Sequence, residues 1–517
     1  MIMKHFRLNS IVLGALLVVL LAPAMSRTPL AAQAGDTLYP RANPANEAAG
    51  ADKPDARADK DRQYFTEGYH QYARGRYTRA AARLFEFLGR RTTDDKDYEW
   101  AEFFFGISLK KTGFSHAAVD ALTHVATRKP NPKIVSYSLE VLESISREMP
   151  FDRDMLIDWG VCDQSYGFVE PHIAAFVHYY QGEYDWDHGL YEWGDKHFAR
   201  LKKNTYYHNK YLFRRALREI MDDRIDAAKP TLKEVIRKLP DGRRLKDDAR
   251  KTLARLCYET RDFARADLLY EQIEMNITEQ AQNLMERSWA HYRMGNRERA
   301  MGLLYSFEAP CFKNSFTPEF YILKSFIYKD VCHYKKAMAV LNDFKTRYGE
   351  ALNRIYSRAP LQDNPALLLV ILNKPWVKRT WDFLELLKVE KAGVTGIDHP
   401  GLSAYLDNLY ALKIDQYENR FRHLVRDEYE KMANEMLRYE EQAHLMEYEI
   451  GLDMFQRVSA YSYKENNAAS ADAKSGDRPA KAVYHFQGEF WNDELDDYEV
   501  NLPNKCDSTQ QWDIFFK

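Results

Sequence analysis

Apolar and small residues recur along this chain at the spacing of paired helices. In the segment QYFTEGYHQYARGRYTRAAARLFEFL, which begins at Gln63, six residues define a frame. Gly68, Tyr72, Gly75, Tyr77, Ala80 and Leu84 stand at offsets 0, 4, 7, 9, 12 and 16. Steps of three and four keep side chains on one face of a helix. Gly75 permits a tight turn between two helices. The small residues Gly68 and Ala80 fall where the two helices would cross, because a larger side chain there would push the axes apart. Tyr72, Tyr77 and Leu84 fill the space between the pair and its neighbour.

The frame returns with Gly106, Gly113, Ala118, Leu122 and Pro130, then with Ala216, Ile225, Ala228, Leu232 and Pro240. Further copies carry Ala254, Phe263, Ala266 and Tyr270; Ser288, Gly295, Ala300 and Leu304; and Ser325, Tyr334, Ala337 and Leu341. The second-helix alanines 80, 118, 228, 266, 300 and 337 are separated by 38, 38, 34 and 37 residues, with a gap of 110 in the middle. That gap has room for two more units, one of them around Ala175, Gly182 and Tyr184. These offsets resemble those of the tetratricopeptide (TPR) repeat family. The resemblance implies an all-α helical-hairpin solenoid over residues 61–349, irregular at 133–208, where Trp, Tyr and Asp crowd the sequence.

Residues 350–401 hold apolar helical pieces broken by Pro and Gly and read as a helical junction. No Gly or Pro occurs between Gly401 and Gly451. There Val425, Tyr429, Met432, Met436, Tyr439, Ala443, Met446 and Ile450 alternate at steps of four and three, the pattern of a helix–helix seam. A long helix is therefore predicted over 402–460, folded back along the solenoid rather than free to dimerise. Polar stretches at 35–60 and 461–482 read as linkers. Residues 483–517 form a short tail rich in aromatic and acidic residues, isolated by its linker and so a candidate docking segment.

Composition adds little contrast: 45% apolar, 14% aromatic and a formal charge of −2. That balance gives no reason to expect a nucleic-acid partner. The first 34 residues alter the picture more. Lys4 and Arg7 precede an apolar run from Ile11 to Leu21, and Ala32-Gln33-Ala34 forms a small-x-small site, the pattern of a cleaved signal peptide. The run is too short to span a bilayer, and no later stretch is apolar enough, so no transmembrane segment is expected after cleavage. Export implies an oxidising compartment, in which five cysteines leave at least one unpaired. The frame puts Cys311 and Cys332 at opposite ends of a helix, roughly 20 Å apart, so no bridge between them is expected. Cys257 reads as a buried small apolar residue.

Five histidines (172, 178, 188, 197 and 208) and three aspartates (185, 187 and 195) crowd the irregular middle, but not at metal-ligand spacing. Glu170, Glu183 and Asp185 are the carboxylates that a cell-wall-active enzyme could use, and Trp159, Trp186 and Trp193 form an aromatic patch that a glycan-binding protein could use. Neither reading is favoured: no catalytic, metal or cofactor site is expected. The face expected to bind is the groove lined by first helices, where the frame places Tyr69, Tyr72, Trp100, Phe103, Tyr258, Trp289, Tyr292 and Phe326. The TPR resemblance, and a looser one in layout to TPR components of myxobacterial gliding machinery, implies a periplasmic scaffold. Such a protein binds other envelope proteins through its groove or tail, in motility, secretion or outer-membrane assembly.

Overall fold

A computed structural model describes residues 54–129, 131–162, 165–273, 277–312, 315–465, 495 and 497–506. The expected signal peptide and most of the two polar linkers lie outside these residues. The described residues are helical, with no strand among them. They fall into two compact units, Met1–Leu212 with Lys374–Val425 and Phe213–Asn373 with Arg426–Lys517.

In the first unit the helices are α1 (Pro54–Ala73), α2 (Tyr77–Arg90), α3 (Tyr98–Lys111), α4 (Ser115–Arg128), α5 (Pro132–Glu148), a π-helix (Asp154–Cys162), α6 (Pro171–Asp187) and α7 (Tyr191–Phe198). Helix α8 (Tyr206–Met221) runs into the second unit, which continues with α9 (Ile225–Lys238), α10 (Arg244–Glu259), α11 (Phe263–Glu271), α12 (Ile277–Arg293) and α13 (Arg297–Tyr305). Next come α14 (Pro318–Asp330), α15 (Tyr334–Tyr356) and α16 (Pro365–Leu372). The chain returns to the first unit with α17 (Pro375–Gly393), and α18 (Pro400–Glu465) serves both. The helices overrun the expected boundaries: α1 starts inside the first linker, and α18 extends from 400 to 465 rather than from 402 to 460.

The frame is built as its residue types require. Ala80, Ala118, Ala228, Ala266, Ala300 and Ala337 are all 0% exposed. Each is the fourth residue of its helix, in α2, α4, α9, α11, α13 and α15. A Cβ built on Gly68 would come within 2.7 Å of Leu84 Cγ, and one on Gly106 within 2.8 Å of Leu122 Cγ. Where serine replaces glycine at this crossing, Ser325 donates its hydroxyl to the Ala337 carbonyl at 3.2 Å. Seven of the turns within pairs are closed alike. Gly75, Gly113, Gly189, Asp223, Arg261, Gly295 and Cys332 all have positive φ, two residues before the second helix. The following residue donates its N–H to a carbonyl five residues back: Arg76 to Gln71, Phe114 to Leu109, Leu190 to Asp185, Arg224 to Glu219, Asp262 to Cys257, Asn296 to His291 and His333 to Tyr328, all at 2.7–3.0 Å. This is the Schellman closure, which satisfies the end of the first helix while reversing the chain.

The central gap holds two units, as its length predicts, but in a different register from Ala175, Gly182 and Tyr184. Gly182 occupies the crossing rather than the turn, with its would-be Cβ 2.8 Å from the Phe198 ring, and Gly194 stands where the other copies have alanine. Irregularity is concentrated in the preceding unit. Leu156 falls midway between Ala118 and Gly194, so the alanine position carries a leucine. Its helix is wound as π rather than α, and Gly160 in it approaches Thr123 of α4.

The elements after the repeats are fastened by polar contacts. Glu390 of α17 accepts the backbone N–H groups of Ser115 and His116, at 2.9 and 3.0 Å, and the Tyr410 hydroxyl at 2.6 Å. It thereby caps α4, whose own N-cap side chain makes no such bond. Lys413 of α18 reaches buried Asp152 at 2.6 Å. Burial alone would raise the Asp152 carboxyl, but the Lys413 ammonium holds it below the usual range. In the second unit the seam residues Met432, Met436, Tyr439, Ala443, Met446 and Ile450 are buried, and Glu449 accepts from Lys329 at 2.6 Å. The seam is thus used within the chain.

The described part of the tail packs on its own chain. Leu495 and Leu502 are buried in the α12–α14 core, and Val500 N–H donates to the Glu298 carbonyl at 3.1 Å. Cys506 is bridged to Cys332 with Cα atoms 5.0 Å apart, while Cys162, Cys257 and Cys311 are free. Cys257 is buried as expected.

Two outcomes follow from this packing. Ala228→Leu or Ala300→Leu will overfill a crossing and destabilise the fold by about 1–3 kcal/mol, read from urea unfolding followed by circular dichroism. Cys506→Ser releases a covalent closure of 174 residues and will cost about 2–5 kcal/mol. The same melts in reductant will show wild type and variant unfolding together.

Candidate functional site

The groove residues separate by unit. In the first, aromatic side chains of α1, α3 and α5 make one continuous ladder. Phe104 is its centre, with ring centroids 5.2 Å from Tyr69, 4.9 Å from Tyr72, 5.7 Å from Trp100 and 5.5 Å from Phe103. Tyr137 extends it, 6.0 Å from Phe103. Phe103 is buried, which corrects its placement as an exposed anchor, whereas Tyr69 is 44% exposed and Tyr72 and Trp100 are half-buried. Burial pushes the Tyr72 hydroxyl above its ordinary range, with Tyr77 and Tyr69 adding to the shift. Phe104 and Tyr137 were not among the expected residues. The sequence signal for Phe104 is its position inside the Trp100–Phe105 aromatic run, four residues from Trp100.

In the second unit the corresponding residues tie neighbouring first helices together. Trp289 of α12 donates to Glu319 of α14 at 2.8 Å, and Tyr292 donates to Asp330 at 2.9 Å. Arg293 donates to the Tyr258 hydroxyl at 3.4 Å and lies over the Trp289 ring. Arg255 of α10 grips Glu286 of α12 with bonds of 3.0 and 2.6 Å. Burial would raise Glu286, but this guanidinium holds it below the usual range. Phe326 is half-buried on α14. Trp289 and Tyr292 therefore have structural partners across the repeat.

Among the described residues Glu319 has no such cation. Burial pushes its carboxyl up to about 7, against the Trp289 N–H bond and with the carboxylates of Glu286 and Glu435 adding to the rise. Between the unfolded value near 4.5 and this one, the folded chain holds the extra proton. Its stabilising contribution is thus complete below about pH 4.5 and lost as pH rises through about 7.

The middle-region chemistry does not converge. Glu170 is the N-cap residue of α6 and Glu183 lies thirteen positions further along, roughly 20 Å at the helical rise, beyond the separation of a glycosidase pair. Glu183 accepts from Tyr179 at 3.3 Å and faces Arg153 at 3.5 Å. His178 and His197 approach to 3.2 Å, with Asp185 3.8 Å from His197. Burial pushes His178 down to about 4, helped by the neighbouring His197 and Arg200. His172 meets Glu140, His188 bonds the Tyr184 carbonyl, and His208 is buried elsewhere. No group of three potential metal ligands forms among the described residues. The three tryptophans also part: Trp186 is buried and bonded to Asp195, while Trp159 and Trp193 are exposed. No helix among the described residues is long and apolar enough to cross a membrane.

Glu319→Gln will raise the melting temperature at pH 8 and change it little at pH 5, as followed by thermal melts across that range. A wild-type stability that does not fall relative to the variant between those values contradicts the raised carboxyl. Comparison with known proteins finds no family model and no curated sequence that matches this chain.

Proposed function

We propose that this protein is an exported, TPR-like α-solenoid scaffold whose first-helix face binds other proteins of the cell envelope. The carrying observation is the repeat frame. Six alanines are fully buried at one position of the second helix, and seven turns are closed by the same left-handed residue and hydrogen bond. Stacked helix pairs of this kind build an extended surface rather than an enclosed pocket, and such surfaces serve in recognition. Within that surface the Tyr69–Trp100–Tyr137 ladder is the anchor. Its rings are fixed by Phe104 and keep exposed edges, the amphipathic aromatic character found at binding hot spots.

Export has two supports of different origin. One is the n-region, apolar run and small-x-small pattern in the first 34 residues. The other is the Cys332–Cys506 bridge, which joins positions 174 residues apart and belongs to an oxidising compartment. The layout likeness to gliding-machinery components makes a motility complex the first assembly to examine, beside secretion and outer-membrane assembly.

Crosslinking in the native cell followed by mass spectrometry will recover a defined envelope protein. The doubly substituted Tyr69→Ala, Trp100→Ala chain will lose it at least tenfold while keeping its helical circular dichroism. Undiminished capture by that folded variant removes the ladder from the interface. Clearing of peptidoglycan by the purified protein would replace the scaffold reading with the enzymatic one.

A further inference from the structure

Helix α18 carries a second apolar seam, diametrically opposite the first. Leu445, Tyr448, Leu452 and Phe455 follow steps of three, four and three, and are 54%, 69%, 42% and 69% exposed. The inward positions Ala443, Met446 and Ile450 are buried between them. A surface helix ordinarily turns charge outward, and α18 does so between 422 and 441, where Arg422, Arg426, Glu430, Lys431, Arg438 and Glu441 are all exposed. From His444 to Gln456 that rule lapses. The exposed residues are His444, Leu445, Tyr448, Gly451, Leu452, Phe455 and Gln456, none of them a permanent charge. The acids of the same stretch point to partners on their own unit: Glu447 to Lys345 and Glu449 to Lys329, each at 2.6 Å, and Asp453 to Arg457 at 3.4 Å.

We propose that this face is the homodimer interface of the protein, formed by two copies of α18 packed antiparallel about a two-fold axis at the level of Ile450, on the opposite side of the helix from that buried side chain. A second copy fits because the stripe is complementary to itself. With the axis at 450, Leu445 meets Phe455 of the other copy and Tyr448 meets Leu452, so every contact pairs an aromatic with an aliphatic side chain. A two-fold interface requires this reciprocity. No charge on the face opposes its own copy, and none invites a charged partner.

The area sets the strength. Four side chains of these sizes and exposures offer roughly 500 Å² per copy, about 1,000 Å² for the pair, at the lower limit of specific interfaces. An interface at that limit makes a weak, reversible dimer. The inference is independent of the envelope partner and of the Tyr69–Trp100 ladder.

Sedimentation velocity on the full mature chain is run across a concentration series from about 1 to about 100 μM, where weak self-association is read. It will show a concentration-dependent shift from monomer to dimer. Tyr448→Glu with Leu452→Glu will hold the chain monomeric throughout, with unchanged circular dichroism and melting temperature. A mixture of Leu445→Cys and Phe455→Cys chains will give a disulfide-linked dimer that neither chain forms alone, which separates antiparallel from parallel pairing. A monomer at every concentration overturns the proposal, as does a dimer that survives both glutamates. So does a monomer destabilised by them, since that places part of its own chain on the stripe.

Discussion

The structure depends on how closely two helices can cross. At the regular crossings glycine, alanine or serine separates a pair of backbones, and a Schellman turn between the two helices reverses the chain within a few residues. Those two constraints are local and act within one helix pair. The third unit shows what happens when one is relaxed. With Leu156 in the alanine position and no left-handed residue in the turn, the second helix winds as π and packs on α4 of the preceding pair. One unit later glycine at both 182 and 194 restores the close crossing.

Repeats of this kind leave every first helix with a face that its own pair does not cover, and the two units use that face differently. In the first it becomes a ladder of rings that cover one another only in part. In the second it becomes a lattice of polar bonds between positions some thirty residues apart, with Arg255–Glu286 and Trp289–Glu319 as rungs. Aromatic residues thus occupy similar frame positions in both units but play different roles. What separates them is whether a carboxylate from the next repeat stands within reach of the ring nitrogen or hydroxyl. Glu319 and Asp330 do so for Trp289 and Tyr292. Phe103 and Phe104 have no such group to offer a partner, and their packing is purely apolar.

The elements outside the repeats are fastened by groups distant in sequence. A carboxylate from α17 supplies the cap that α4 lacks, a lysine from α18 neutralises Asp152, and a cysteine from the tail closes onto the left-handed turn at Cys332. Such attachments are expensive to break, because each leaves a buried charge or helix end without its partner. They hold the C-terminal elements to the repeats without obvious hydrophobic patterning to announce them.

Sequence alone determined what is local and periodic. The helix pairs, the buried alanines, the number of units in the central gap and the buried seam of α18 follow from residue size and spacing, because crossing distance and turn geometry act over fewer than twenty positions. The impossibility of a Cys311–Cys332 bridge follows for the same reason. Tertiary structure alone decided the pairing of Cys332 with Cys506, the capping of α4 by Glu390, the packing of Leu495 and Leu502 against their own unit and the division of the groove aromatics into ladder and lattice. Each of these depends on which groups meet after the chain has returned from far away, and no spacing rule carries that information. The register of the central units lay between the two cases: Gly182 is a small residue that suits either a crossing or a turn, and only the packed ring of Phe198 against it selects the crossing.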